Sequence, residues 1–81
     1  MYYVYVLESL KNGRYYVGVT ANLEDRLKRH NARENRSTSP YAPYIIRHTE
    51  SFPTLKEARK RESDIKNKKS RQFIDKLIAV Q

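Results

Sequence analysis

The chain has 81 residues, including 17 Lys or Arg and 9 Asp or Glu, so its formal net charge at neutral pH is +8. This length predicts one small domain spanning residues 1–81. There is no cysteine for a disulfide or thiolate metal site, and no apolar run reaches the roughly 18 to 20 residues that span a membrane. We therefore expect a cytoplasmic protein with no membrane partner. The charge favours nucleic acid as partner, the alternative being a charge that serves only solubility.

Residues 2–20 predict a β-hairpin. Two runs rich in Tyr and Val flank a polar segment with Asn12-Gly13, a dipeptide typical of tight turns between strands. A two-residue turn there would place Lys11 opposite Arg14. The tyrosine face of the hairpin would carry Tyr3, Tyr5, Leu7, Tyr16, Gly18 and Thr20, and the valine face would carry Val4, Val6, Val17 and Val19. We expect the valine face to form the core, while tyrosines on one solvated face are also common in ordinary sheets.

A change of hydrophobic period after the hairpin predicts a helix at about 22–33, which Asn22 can cap. Residues 34–43 are rich in Ser, Asn and Pro and predict a loop. A third strand follows over residues 44–52. Its alternation predicts one face that carries Tyr44, Ile46, His48 and Phe52.

Two further helices complete the predicted fold. Thr54 and Glu57 form a capping-box pattern for a helix that ends near Asn67, and Ser70 can cap a last helix with an apolar stripe. The chain is therefore predicted to be an α+β domain in the order β-β-α-β-α-α. Its three-stranded antiparallel sheet would be flanked by helices.

Three polar side chains on the predicted helices are candidates for a site. Arg26 and His30 are i, i+4 neighbours at the edge of an apolar stripe, a position that is often merely solvated. Glu62 lies within the stripe of the next helix, where burial of a lone carboxylate would cost several kcal/mol. It therefore needs a partner. The pattern is compatible with two kinds of partner. One is the positively charged side chain of Lys66 or Arg59, and the other is a divalent metal ion.

Cations surround the predicted start of the last helix. Lys68, Lys69 and Arg71 could bind phosphate there, since the free N–H groups of a helix N-terminus attract anions. Arg36 and the hydroxyls of its loop could hold a phosphate as well, although such loops usually only connect elements.

The two predicted strands of the hairpin contain Tyr3-Val4-Tyr5 and Tyr16-Val17-Gly18, with Thr20 two residues further on. These segments resemble the paired tripeptides of the GIY-YIG nuclease family, which includes an excinuclease component of excision repair. Tyr3 stands where the family name has Gly. Residues 58–71 also resemble the small bacterial members, so the likeness covers nearly the whole chain. It implies a GIY-YIG-like fold and a metal-dependent endonuclease that hydrolyses phosphodiester bonds, in repair or recombination.

The resemblance also implies roles for the candidate residues. Tyr16 would act as or position the general base, Arg26 would hold the phosphate oxygens, and Tyr5 and His30 would support proton transfer. Glu62 would bind Mg²⁺ or another divalent cation such as Mn²⁺. We place the nucleic-acid contacts at Gly18, Thr20, Arg36, Lys66, Lys68, Lys69 and Arg71.

The family implies that the phenols of Tyr5 and Tyr16 approach each other. The two-residue turn would put them four residues apart along the strands, roughly 13 Å. We therefore predict a longer connection over residues 8–14, with paired residue numbers that add up to about 21 instead of about 25.

Two other classes of function stay open. One is a non-catalytic nucleic-acid-binding module on the same fold, and the other is a basic scaffold protein of a ribonucleoprotein. DNA is favoured over RNA as the substrate, and the sequence does not indicate which proteins, if any, are partners.

Overall fold

The computed structural model describes residues 1–32 and 39–79. Its elements in chain order are β1 (Tyr2–Ser9), β2 (Tyr15–Thr20), α1 (Leu23–Asn31), a short 3-10 turn (Ser39–Tyr41), β3 (Tyr44–Phe52), α2 (Leu55–Asn67) and α3 (Arg71–Ala79). The strands form one antiparallel sheet in the order β2-β1-β3. The predicted α+β fold and its element order are confirmed. Among these helices none is long and apolar enough to cross a membrane.

Each helix begins where the sequence places a capping side chain. Asn22, Thr54 and Ser70 each accept a hydrogen bond from the backbone amide three residues further on, at 3.0, 3.2 and 3.2 Å. A cap of this kind contributes typically about 1 kcal/mol. Local sequence therefore sets the three helix starts.

The hairpin connection is longer than a two-residue turn. Ser9 N donates to the Arg14 carbonyl, and Gly13 N donates to the Ser9 carbonyl, both at 2.9 Å. Paired residue numbers add up to 23, as in the pair Val6 and Val17, so residues 10–13 form the connection. The prediction of a longer connection is confirmed, although the register lies midway between the tight-turn pairing and the pairing predicted from the family. Gly13 adopts the left-handed backbone conformation, with φ of 75°, that glycine adopts readily.

Both faces of the sheet are buried: the valine face forms a core as expected, and the tyrosine face forms a second one. Val4, Val6 and Val17 pack with Ala58 and Ile65 of α2. On the other side, the tyrosine face is covered by α1 and by the segment before β3. The buried or packed residues there are Tyr5, Leu7, Tyr16, Leu23, Leu27, Tyr41, Ala42, Tyr44 and Ile46. The sheet is therefore the middle of three layers.

β3 contains an irregularity that the sequence alternation misses. Leu7 pairs with Ile46 and Val6 pairs with His48, so Arg47 is an extra residue on β3. A bulge of this kind shifts the alternation by one residue. Tyr44 and Ile46 consequently lie on the tyrosine face, whereas His48 and Phe52 lie on the valine face. The prediction that all four share one face is wrong for this reason.

Candidate active site

Tyr5 lies on the central strand, directly opposite Gly18 of β2. Its side chain crosses the backbone of β2 at that glycine. A Cβ atom built on Gly18 would meet the Tyr5 hydroxyl and would lie 2.6 Å from Cζ. The glycine of the second tripeptide is therefore required by a close approach, since any side chain would collide with the phenol.

Three rings form a cluster at this point. The ring centroid of Tyr16 lies 6.3 Å from that of Tyr5 and 4.8 Å from that of His30. The Tyr5 hydroxyl lies 3.3 Å from His30 Nε2. His30 is only 1% exposed, because α1 packs it onto the tyrosine face. It is thus not a solvated edge residue, and the two phenols are neighbours as predicted.

The protonation states within the cluster follow from burial. Desolvation, with a smaller effect of Arg26, lowers the pKa of His30, so the imidazole is neutral at neutral pH. Desolvation also raises the pKa of Tyr5 far above its usual value, aided by Tyr16 and Glu62 and opposed by Arg26. Tyr5 therefore keeps its proton. The contact between Tyr5 and His30 is a hydrogen bond between two uncharged groups.

A polar cavity of about 430 Å³ opens beside the cluster. Both strands of the hairpin and the helices α1 and α2 contribute to its wall. The lining residues are Tyr5, Tyr16, Gly18, Val19, Arg26, Arg59, Glu62 and Ser63. The structure thus brings Tyr5, Tyr16, Arg26 and Glu62 to one place, while His30 lies behind them against the two phenols.

Glu62 has a protein partner and also lines the cavity. Its carboxylate lies 3.2 Å from Lys66 Nζ, one helical turn away, and the Lys66 side chain is 53% exposed. The Glu62 side chain is 23% exposed. An i, i+4 ion pair with an exposed partner contributes only about a few tenths of a kcal/mol, so Lys66 holds the carboxylate weakly.

The donor set around Glu62 fits a magnesium ion that is shared with substrate. In the part of the chain that the structure describes, no group of three or more His, Cys, Asp or Glu could hold a metal. Mg²⁺ commonly binds proteins through one or two carboxylates and completes its shell with water and substrate phosphates. A single carboxylate in a polar cavity meets that requirement.

The remaining predicted residues lie elsewhere. Thr20 is buried and exchanges hydrogen bonds with the backbone of Asn22 at 3.1 and 3.2 Å, so its hydroxyl fixes the start of α1. Arg36 lies outside the described residues. Lys66, Lys69 and Arg71 line a second cavity, whereas Lys68 lies over the Phe73 ring, 5.5 Å from its centroid.

Arg59 is a cavity residue that the sequence suggests only as a partner for Glu62. Its side chain belongs to the same wall as Arg26 and Glu62. The signal was present in the sequence, since a residue three positions before Glu62 on a helix lies on the same side. Two guanidinium groups therefore face the cavity, not one.

The sequence model described as the GIY-YIG catalytic domain matches residues 1–75. With this fold and this cluster of residues, the chain belongs to the GIY-YIG family, a family of nucleases. Within it, the chain is similar to UPF0213 proteins. It is 42% identical to one from Halobacterium salinarum over 67 residues, which cover 82% of this chain and 86% of that protein. It is 38% identical to one from Natronomonas pharaonis over 79 residues, which cover 96% of this chain and 91% of that protein.

A solved structure with a similar fold also belongs to a UPF0213 protein. The solution NMR structure of a UPF0213 protein from Bacillus halodurans matches with a TM-score of 0.63 at 31% sequence identity. The match covers 100% of this chain and 86% of that one.

Proposed function

We propose that this protein is a divalent-metal-dependent endonuclease that hydrolyses phosphodiester bonds, with DNA favoured over RNA. The observation that carries the proposal is the convergence of Tyr16, Arg26 and Glu62 in one polar cavity. These three side chains come from β2, α1 and α2, so three separate elements bring them to the same space. Family membership supports the same conclusion.

The residue types match the needs of phosphodiester hydrolysis. A water molecule must lose a proton, the charge that grows on the phosphate oxygens must be neutralised, and the leaving oxygen must be stabilised. Arg26 would hold the non-bridging oxygens, because its planar fork matches phosphate. Arg59 adds a second positive charge on the same wall.

Tyr16 is the stronger candidate for handling the attacking water. Tyr5 is buried and its raised pKa keeps it protonated, so it would act as a hydrogen-bond donor and not as a base. His30, whose lowered pKa keeps it neutral, packs against both rings and fixes the orientation of the phenols. We therefore assign Tyr16 to positioning the water or accepting its proton, and Tyr5 with His30 to supporting it.

Glu62 would be the protein ligand of Mg²⁺ or Mn²⁺. When bound there, the ion would polarise the phosphate and stabilise the leaving oxygen. The Lys66 ammonium would leave the carboxylate and return to solvent or to a neighbouring phosphate of the strand.

The second candidate is a non-catalytic nucleic-acid-binding module on the same fold. The observation that favours it is the net charge of +8, with a second basic cavity that needs no catalytic group to bind an anion. Such a module would bind nucleic acid equally well with or without a metal ion, and it would never cleave it.

Cleavage assays separate the two candidates. The purified protein is incubated with labelled duplex, flap, single-stranded and RNA oligonucleotides, in Mg²⁺, in Mn²⁺ or in EDTA. We expect cleavage that requires the metal and is lost in Glu62→Gln. Glu57→Gln is the matched control, because Glu57 lies on the same helix, is exposed and does not line the cavity. Binding without cleavage of any substrate under any of these conditions would favour the module.

A further inference from the structure

A second cavity, of about 440 Å³, lies between β2 and the turn that joins α2 to α3. Two residues connect it to the candidate active site. Tyr16 lines both cavities, and Lys66 lines the second one while its ammonium contacts Glu62 in the first. A strand with its phosphate at Arg26 would therefore have an adjacent nucleotide within reach of the second cavity.

The rim of this cavity is positively charged. Arg14, Lys66, Lys69 and Arg71 line it, and none of the described residues in its lining carries a carboxylate. Arg71 is held in place, since its Nη1 donates to the Gly13 carbonyl at 2.8 Å. The rim is therefore complementary to phosphate.

The floor of the cavity is apolar and aromatic. A phosphate has no use for such a surface, so the floor suits another part of a nucleotide. Val17, Ile65, Ile74 and the ring of Tyr15 provide this surface. The guanidinium carbon of Arg71 lies 4.5 Å from the centroid of the Tyr15 ring, so a flat charged group already covers part of the aromatic wall. Nucleic-acid bases pack on aromatic rings and on guanidinium planes, but only when they are not already stacked within a duplex.

The backbone at Lys69 supports a role for its side chain. Lys69 follows the C-cap of α2 and adopts a left-handed conformation, with φ of 48°. Glycine is the usual residue at this position of a helix end, because it adopts that conformation without steric cost. The chain instead keeps a lysine there, and that lysine lines the cavity.

We propose that the second cavity binds one unpaired nucleotide of the substrate strand, next to the phosphate that is cleaved. Its base packs against Tyr15 and Ile74, above the buried Ile65, and its phosphate contacts Lys69 and Arg71. That the bound strand is the substrate of a nuclease rests on the proposed function. It makes flaps, single strands and frayed ends better substrates than continuous duplex.

Binding without metal tests the site directly. Isoleucine methyl groups are labelled for NMR, and the protein is titrated in EDTA with hexathymidylate, with hexauridylate and with an abasic deoxyribose-phosphate strand of the same length. We expect the Ile65 and Ile74 signals to shift while those of Ile45 and Ile46, which lie on β3, do not. The abasic strand should bind at least about fivefold more weakly than hexathymidylate, since one stacked base is lost.

The comparison of the three strands has a clear interpretation. Base-dependent binding of either hexanucleotide supports the proposal. Equal affinity for the abasic strand, or Ile65 and Ile74 signals that do not move, would overturn it.

A matched pair of variants tests the charged rim. Lys69→Asn and Lys56→Asn each remove the charge of one exposed lysine, and asparagine tolerates the left-handed backbone at position 69. Lys56 lies in the first turn of α2 and does not line the cavity. Lys69→Asn should weaken hexathymidylate binding about tenfold and lower the log–log salt slope by about 0.7, whereas Lys56→Asn should stay within about twofold of wild type. Equal losses would show that only overall charge matters.

The outcomes distinguish this proposal from the nuclease assignment. Metal-dependent cleavage by a protein whose Ile65 and Ile74 signals do not move would overturn the nucleotide site and leave the nuclease intact. Base-dependent binding in the cavity of a protein that never cleaves would support the nucleotide site and overturn the nuclease assignment.

Discussion

Gly18 and Tyr5 face each other across β2 and β1, and the Tyr5 phenol fills the space where a side chain at position 18 would begin. Gly18→Ala should therefore displace the phenol, reduce cleavage and destabilise the fold by about 1–3 kcal/mol. Urea unfolding measures the cost. In a Tyr5→Ala background the same substitution should cost much less, because the colliding ring is gone. An equal cost in both backgrounds would contradict the steric explanation.

Tyr16→Phe keeps the ring packing and removes only a hydroxyl. We expect the variant to fold and to bind nucleic acid as the wild type does, and to cleave about 10²-fold more slowly, the usual scale for loss of a general base. Single-turnover kinetics measure the effect. Tyr2→Phe is the matched control, since Tyr2 lies at the start of β1 and lines neither cavity. Equal rates for Tyr16→Phe and wild type would remove the Tyr16 hydroxyl from the reaction.

Glu62→Ala removes the proposed metal ligand and a negative charge from a site for a polyanion. Metal-dependent cleavage should disappear, while affinity for nucleic acid stays equal or increases. The free energy of unfolding should fall by less than about 1 kcal/mol, because the Lys66 end of the ion pair is half exposed and holds Glu62 only weakly. Retained cleavage in this variant, measured beside Glu57→Ala, would mean that Glu62 is only a partner of Lys66.

His30 predicts a loss of stability in mild acid. Its pKa in the folded protein lies below the ordinary value of 6.5, so the unfolded chain binds the proton more readily. The stability that depends on a neutral His30 is fully present above about pH 6.5, and it is lost as the pH falls through the lower pKa of the folded protein. Urea unfolding between about pH 7.5 and about pH 5 measures this slope.

In His30→Gln the free energy of unfolding should change less with pH over the same range, because glutamine does not take up a proton. Glu50 acts in the same direction but only at more acid pH: desolvation opposes the shift, while the hydrogen bonds and charge interactions with Arg61 and His48 together lower its pKa. An unchanged slope in the variant would show that His30 is not the titrating group.

Lys69→Gly should separate stability from binding. Glycine adopts the left-handed conformation at position 69 without strain, so the stability should be unchanged or up to about 1 kcal/mol higher. Binding of single strands should weaken, because the variant loses a cation of the second cavity. Thermal unfolding and fluorescence anisotropy measure the two effects, and a stable variant with unchanged affinity would leave Lys69 without a role in binding.

The features that the sequence predicts well are those set by local rules. The caps at Asn22, Thr54 and Ser70 depend on side chains that bond to backbone three residues away. The two faces of the hairpin also survive the error in register, because a shift of the paired numbers by an even amount returns every side chain to the same face. Local information was sufficient for these features.

The features that it misses depend on contacts between distant parts of the chain. The bulge at Arg47 cannot be inferred from an imperfect alternation, and burial of the tyrosine face depends on where α1 packs. For the site, spacing places Arg26, His30 and Glu62 on helix faces, and the family resemblance suggests that they meet. The protonated state of Tyr5 follows only from its burial, which the sequence does not show.

The central strand joins the two helical layers and is buried on both faces, with Val4, Tyr5, Val6 and Leu7 each at most 2% exposed. By contrast, none of the described side chains of α3 is fully buried. Amide hydrogens of β1 should therefore exchange only when the whole domain unfolds, whereas those of α3 should exchange through local opening. The phenol of Tyr5 is then fixed to the segment expected to exchange most slowly, whereas Arg71 lies on the helix expected to open first. Opening of α3 alone would change the second cavity without any rearrangement of the groups around Tyr5.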